Sequence, residues 1–356
     1  MILRALIATA AMAALALPAA AQDAPRWSFA IHGGAGVIER ASLSPEQDMA
    51  YRAALTRALE AGKAVLERGG SALDAIQSAI QLMEDDPLFN AGRGAVFTAA
   101  GRNELDAAVM NGRDRTAGAV AGLTTTRHPI AAARAVMEQS PHVMLIGEGA
   151  DTFAASVGLE QVDPSYFFTR RRWDQMIRNL TEQGIALPPL PPVGTPGSPI
   201  GGVALAEPAP PLNERKFGTV GAVALDQSGT LAAGTSTGGM TAKRWGRVGD
   251  VPVIGAGTYA SNADGCAVSA TGDGEFYIRA SVARDICMRI ATGTTGQAAA
   301  QAEVDDALAL GGTGGVIVMD AQGRPAFAMT TSGMYRGAVS AGVPATVAIY
   351  ADEPRP

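Results

Sequence analysis

A single glycine–threonine bond constrains this chain more than any other feature. Residues 217–259 read FGTVGAVALDQSGTLAAGTSTGGMTAKRWGRVGDVPVIGAGTY, and Gly218-Thr219 stands where a proline-rich spacer gives way to an apolar, strand-like run. A cut at that bond would make Thr219 a new N-terminus, with a nucleophilic hydroxyl and a titratable amine on one residue. A threonine hydroxyl is a poor nucleophile without a neighbouring base. An α-amino group titrates at about 7.7–8.0, close to the pH at which a general base works best. The chain has three histidines, His32, His128 and His142, all upstream, so the amine of a freed Thr219 is the strongest general base the sequence offers. Gly312-Thr313 has the same two residues but follows a helix and a glycine turn, and reads as an ordinary strand entry. A long accessible spacer precedes Thr219.

That spacer begins at about residue 182, as QGIALPPLPPVGTPGSPIGGVALAEPAPPLNERK, and has no periodicity. A structureless stretch of this length inside a compact domain calls for a reason, and a processing site at its downstream end supplies one. Upstream, residues 27–31 read as a strand leading into His32-Gly33-Gly34-Ala35-Gly36. Residues 45–68 have helical period and stop at Gly69-Gly70, and Ser71 caps a second helix that ends near Pro87. Residues 94–123 alternate short strands with glycine turns, 128–139 read as a helix and 143–147 as a strand. Downstream, residues 219–240 are echoed by 313–334. Each is a strand, a turn (Asp226 to Gly229, Asp320 to Gly323) and a second strand ending in a Thr/Ser-rich loop. Two such hairpins with a helix between them near 276–291 predict antiparallel sheet covered by helices, a layered α/β or α+β fold.

The first 21 residues read as an export signal: Arg4, an apolar run over 5–17, and Pro18-Ala19-Ala20-Ala21 before Gln22. The run is short for a membrane span, so no membrane anchor is expected and the protein is placed in the periplasm or outside the cell. Removing the segment takes Arg4 with it and leaves the mature chain one unit more negative than the full-length −6. An acidic chain without basic runs gives no footing for nucleic acid. Cys266 and Cys287 are too few for a disulfide scaffold and read as a buried pair of inert thiols. No zinc-type spacing of ligands occurs.

Two motifs fail on context. Gly234-Thr235-Ser236-Thr237-Gly238 matches a nucleophile elbow, but that chemistry needs a histidine later in the chain, and none follows Ser236. Gly255-Ala256-Gly257-Thr258-Tyr259-Ala260 mimics a dinucleotide fingerprint without the helix that should open after it.

The chain resembles the plant-type (type 2) asparaginase/isoaspartyl peptidase family of N-terminal nucleophile hydrolases. The likeness runs from His32-Gly33-Gly34-Ala35-Gly36 through Asn90-Ala91-Gly92-Arg93-Gly94 and Glu104-Leu105-Asp106 to Gly333-Met334-Tyr335-Arg336, and is most specific over 219–250. It implies an α+β fold, a four-layer αββα sandwich autoprocessed into an α subunit (22–218, spacer included) and a β subunit (219–356), assembled as (αβ)₂. It implies Thr219 as nucleophile, Thr237 as its hydrogen-bonding partner, and Arg247 with Asp250 as holders of the substrate's α-carboxylate and α-amino group. A guanidinium fork and a carboxylate suit those groups on chemical grounds alone. Thr271 and Gly272 match the oxyanion donors, Gly274 a further substrate contact, and Asn90 an asparagine near the nucleophile. Residues 83–93 match a loop that binds a structural sodium largely through backbone carbonyls, here Met83, Glu84, Asp86, Phe89, Ala91 and Arg93, with Asp86 and Arg93 departing from the family's usual residues. No catalytic cofactor is implied. The expected activity is hydrolysis of β-aspartyl amides, in isoaspartyl dipeptides or L-asparagine. The alternatives are a glycosylasparaginase and an uncleaved periplasmic binder of acidic amino acids.

Overall fold

The computed structural model describes residues 26–189 and 218–356. The expected export signal and most of the spacer lie outside the described residues. The fold is mixed α+β. Its elements run β1 (Ser28–Gly36), α1 (Pro45–Glu67), α2 (Ala72–Asp85), β2 (Leu105–Asn111), β3 (Ala117–Leu123), α3 (Pro129–Gln139), β4 (Met144–Ile146), α4 (Gly147–Ser156) and α5 (Arg170–Glu182). Beyond the spacer come β5 (Val220–Leu225), β6 (Leu231–Thr237), β7 (Thr258–Ser261), β8 (Cys266–Gly272), α6 (Gly274–Ala280), α7 (Val282–Ala291) and α8 (Gly296–Ala309). Four strands finish the chain: β9 (Gly314–Asp320), β10 (Pro325–Met329), β11 (Gly333–Ser340) and β12 (Val343–Tyr350).

Local chemistry explains the helix ends. Ser44 and Gln47 form a reciprocal capping box ahead of Pro45, and Ser71 accepts from the Asp74 amide to start α2. The helix expected over 276–291 is broken in two at Ser281, which takes a left-handed backbone (φ 51°). The chain turns there, so that α7 packs on β8 and β7 while α6 packs on α7 and α8.

An eight-stranded sheet has the order β12-β11-β1-β5-β6-β2-β3-β4, and a four-stranded sheet the order β10-β9-β8-β7. Helices α1, α2 and α3 lie against the first sheet, α7 and α8 against the second, and the remaining faces of β1, β5 and β6 meet β8 and β9. The central strands are therefore buried on both faces and divide their residues by alternation. Phe29 and Ile31 of β1, with Ala222 and Ala224 of β5, join Leu55, Leu59, Ile76 and Ile80 of the helices. Ala30, Val223 and Ala233 point the other way, to Ala267, Val268 and Ile317 of the second sheet. The alanine and glycine richness of the sequence thus lies where sheets and helices approach closely.

The two echoed hairpins sit in different sheets, β5–β6 in the larger and β9–β10 in the smaller. Their turns share one device. Asp226 accepts from the Ser228 and Thr230 amides, and Asp320 from those of Gln322 and Arg324.

Cys266 and Cys287 are joined by a disulfide, which corrects the reading of inert thiols. Cys266 opens β8 and Cys287 lies on the helix packed against it, with Cα atoms 5.4 Å apart, well within bridging range. A sequence separation of 21 makes the bridge worth about 3 kcal/mol in the loop-closure picture. Replacing both cysteines by alanine in an uncut Thr219→Ala background is expected to lower the unfolding free energy by about that amount, as measured by denaturant titration without reductant.

Candidate active site

Hairpin register assembles the centre of the site. Val220 pairs with Ser236, so one step further Thr219 faces Thr237, at the end of the sheet opposite the Asp226 turn. Their hydroxyl oxygens are 3.0 Å apart. Thr237 also accepts from the Gly239 amide, and Asp106 of β2 pairs with it across the sheet. Thr219 and Thr237 are both buried, yet both line a pocket of about 170 Å³ that opens to solvent.

The peptide ahead of Thr219 is tightly held. The Gly218 carbonyl accepts from the Asn90 amide at 2.9 Å. A Cβ on Gly218 would come within 2.6 Å of the Asn90 Cβ, and one on Gly34 (φ +109°) within 2.6 Å of the Gly218 Cα. Both positions therefore demand glycine. Asn90 is more than the turn residue its position suggests. Its carbonyl takes the Gly238 amide, its side-chain nitrogen donates to the Gly239 carbonyl and its Oδ1 accepts from Val96.

Arg247, Asp250 and Gly272 line the same pocket. Asp250 is buried, its Oδ2 has no hydrogen-bond partner, and burial pushes its carboxyl up to about 7. Arg247 does not pair with Asp250 as a surface ion pair would. Its Nε and one terminal nitrogen make a bidentate pair with Glu275, each at 2.8 Å. Burial works against the guanidinium charge, but this pairing outweighs it and raises the Arg247 pKa. Gly274 sits beside both groups. A Cβ there would lie 2.8 Å from Asp250 Oδ1 and 2.9 Å from an Arg247 nitrogen.

Thr271 is placed differently from Gly272. It is fully buried at the end of β8, where its hydroxyl lies 3.4 Å from the Ala35 amide, and it is not among the pocket-lining residues. Ser236 is also buried and donates to Glu84 at 2.7 Å, which removes the nucleophile-elbow motif from consideration.

The 83–93 loop is rich in inward carbonyls. A Cβ on Gly92 would meet the Glu84 carbonyl oxygen at 2.3 Å, and one on Gly94 those of Phe89 and Pro87 at 2.0 and 2.8 Å. Its side chains are engaged elsewhere: Glu84 with Ser236, Ile130 and His128, Asp86 with Arg57 and the Leu88 amide, and Arg93 over the Tyr166 ring. Met83, Phe89 and Ala91 have buried side chains. Among the described residues no cluster of three His, Cys, Asp or Glu side chains is placed to hold a metal ion.

Sequence reasoning missed His32. It is fully buried, 3.0 Å from the Thr219 carbonyl oxygen through Nδ1 and 2.9 Å from the Ser269 hydroxyl through Nε2. Burial lowers its pKa to about 3, so it is neutral, and since a carbonyl can only accept, Nδ1 carries the proton. Nε2 then accepts from Ser269, Ser269 from Thr235 and Thr235 from Thr258, at 2.9, 2.7 and 2.7 Å. A directed chain of hydroxyls thus runs between the sheets and ends on the backbone of Thr219. The position of His32 on a predicted strand was legible, but its partners lie 187 and 237 residues away.

The unfolded imidazole takes up its proton near 6.5 and the folded one only near 3. Over that interval the unfolded state binds more protons, so stability falls as pH drops. His32→Gln is expected to flatten the slope by up to about 1.4 kcal/mol per pH unit, read by denaturant titrations between pH 6.5 and 4 of the uncut Thr219→Ala protein with and without this substitution.

Residues 25–349 match the model of a protein family described as Asparaginase. The chain is 48% identical to the isoaspartyl peptidase of Escherichia coli (strain K12), over 91% of this chain and 96% of the relative. It is 41% identical to the plant-type L-asparaginase of Pyrococcus furiosus, over 85% of this chain and 93% of the relative. To the isoaspartyl peptidase/L-asparaginase of Xenopus laevis it is 38% identical, over 82% and 85% respectively.

Proposed function

The chain belongs to the asparaginase family, and from that premise we propose that it is a self-cleaving threonine hydrolase of β-aspartyl amide bonds, acting on isoaspartyl dipeptides and L-asparagine. One observation carries the reading: Thr219, with its hydroxyl 3.0 Å from Thr237, shares a pocket with Asp250, Arg247 and Gly272.

The reaction begins on the chain itself. Thr219 Oγ attacks the Gly218 carbonyl carbon, whose oxygen the Asn90 amide already holds. The peptide C–N bond breaks as its nitrogen takes up a proton, leaving Gly218 as an ester on the threonine. Water cleaves that ester and gives a Gly218 carboxylate and a free Thr219 amine. The products are an α subunit of 22–218 and a β subunit of 219–356, in a four-layer αββα sandwich that pairs as (αβ)₂. The packing of helices on the outside of each sheet supports that architecture.

In turnover the Thr219 amine takes the proton of its own hydroxyl as Oγ attacks the side-chain carbonyl of the substrate. Gly272, with Thr271 behind it, faces the developing oxyanion. The C–N bond then breaks, and the ammonium returns the proton to the departing ammonia or amino acid. Water, deprotonated by the same amine, releases aspartate. Arg247 holds the α-carboxylate and Asp250 the α-ammonium, so aspartyl units inside a polypeptide are poor substrates. Carbonyl oxygens of the 83–93 loop suit a hard cation, and the reading includes a structural sodium there that takes no part in the steps above. Export is part of the same reading, and the Cys266–Cys287 bond, which persists in oxidising compartments, supports it.

Gel electrophoresis under denaturing conditions tests the cut: two bands shorter than the full chain are expected. Hydrolysis of β-Asp-Leu over a GlcNAc-asparagine substrate is the expected preference. The opposite preference points to a glycosylasparaginase, and a single uncut band without hydrolysis points to a binder.

A further inference from the structure

Thr219 Cα belongs to two peptide planes in the uncut chain, and each plane is pinned at its oxygen. A peptide unit is rigid and carries the Cα atoms at both its ends, so fixing its oxygen fixes where those atoms stand. Upstream, the Gly218 carbonyl takes the Asn90 amide at 2.9 Å. Downstream, the Thr219 carbonyl oxygen lies 3.0 Å from His32 Nδ1. Cutting the Gly218–Thr219 bond leaves the first plane with the upstream product. The second plane then carries Thr219 Cα alone, and both the amine and the hydroxyl branch from that atom.

The downstream grip is braced from behind. His32 Nε2 lies 2.9 Å from the Ser269 hydroxyl, which lies 2.7 Å from that of Thr235. The three residues stand on β1, β8 and β6 and are fully buried, so the ring is held between the two sheets. Gly221 makes the room, since a Cβ there would collide with both Ser269 Oγ and His32 Nε2. The Ser269 hydroxyl, donating to Nε2, keeps the ring proton on Nδ1, where it faces the Thr219 carbonyl.

We propose that His32 is a positioning residue for the mature nucleophile, holding the peptide plane on which Thr219 Cα stands once the bond upstream is cut. The proposal rests on the threonine-hydrolase reading and deepens it. His32 exchanges no proton with the substrate, and its loss costs turnover more than self-cleavage. Before the cut, the Asn90 grip still places Thr219 from its other side. After it, a swing of the Thr219–Val220 plane carries amine and hydroxyl together off the substrate carbonyl. A misplacement of about 1 Å costs on the order of 100-fold in rate.

Two substitutions at position 32 test it. Asparagine carries its side-chain N–H groups at the δ position, as Nδ1 does, whereas glutamine carries them at the ε position, toward Ser269 and away from the Thr219 carbonyl. Both variants are expected to give two bands on a denaturing gel. In steady-state kinetics of the processed proteins on β-Asp-Leu, His32→Gln should lower kcat about 100-fold and move KM by less than about threefold. His32→Asn should keep kcat within about tenfold of the wild type. Ser269→Ala leaves the ring in place, removes the donor to Nε2 and should lower kcat about tenfold; it carries the test if His32→Gln does not fold. Equal kcat in the Asn and Gln variants, a loss in KM rather than kcat, a folded His32→Gln protein that stays uncut, or an unchanged kcat in Ser269→Ala overturns the positioning role alone. A wild type that neither cuts nor hydrolyses β-Asp-Leu overturns the parent reading together with it.

Discussion

Thr219→Ala is expected to abolish both processing and turnover, leaving one uncut band on a denaturing gel and lowering hydrolysis of β-Asp-Leu by a factor on the order of 10⁴ or more. The size follows from how much one side chain carries. On the proposed mechanism its hydroxyl is the attacking group in the self-cleavage and in the hydrolysis, and without the first event the amine that serves the second is never freed. The packing change is small, since the Thr219 side chain is buried beside Thr237 and alanine fits the space. A folded, uncut and inactive protein is therefore the expected product, verified by an unchanged circular-dichroism spectrum. Thr219→Ser keeps the hydroxyl and should still cut, more slowly. An alanine variant that still cleaved or still hydrolysed asparagine would remove Thr219 from the mechanism.

The second large effect belongs to Asp250. Its carboxyl is buried, half-unsatisfied and pushed up to about 7 by burial, the state of a group awaiting a cation. Asp250→Asn removes the charge proposed to meet the substrate ammonium, and losing one partner of a desolvated charge pair is worth about 2–5 kcal/mol. A fall of roughly 30- to 5,000-fold in kcat/KM is expected by that measure. The pH dependence has a definite sign. A carboxyl raised to about 7 is protonated, and so unable to pair, below that pH, so kcat/KM for the wild type falls as pH drops through neutrality. The Thr219 amine, titrating at about 7.7–8.0, adds a second loss on the same side. Asp250→Asn should retain the amine's contribution and lose the carboxyl's, so the acid limb of its profile becomes shallower by one proton. A profile of unchanged steepness would mean that Asp250 does not titrate with binding.

Sequence reasoning reached local structure and chain order but not what folding brings together. The cap at Ser71 and the turns at Asp226 and Asp320 are written in neighbouring residues, and all three formed as expected. Thr237 was named through the family resemblance, and the register of the β5–β6 hairpin sets it opposite Thr219. Glu275 escaped notice because it reaches Arg247 from α6, 28 residues along, with nothing local to mark it. The pairing of Lys243 with Asp106 was missed for the same reason: they lie 3.7 Å apart inside the protein on segments far apart in sequence. Helix α5 was not read from the sequence, although Trp173, Met176, Ile177 and Leu180 recur at helical spacing. The cysteines show the opposite limit, for composition argued against a disulfide scaffold while a strand and its covering helix brought one pair within reach.

The strand order of the larger sheet carries a consequence for how the processed enzyme ages. β1, from before the spacer, lies between β11 and β5, both from beyond it, and β2 lies beside β6 in the same way. Once the Gly218–Thr219 bond is cut, the two polypeptides are interleaved within one hydrogen-bonded ladder. A molecule that unfolds after the cut must find its other half by diffusion, so a folding reaction that was unimolecular becomes bimolecular and depends on concentration. On the proposed reading the uncut precursor can be melted and recovered, whereas the cut protein effectively folds only once. Its lifetime would then be governed by the barrier to the first unfolding event rather than by an equilibrium it can return to.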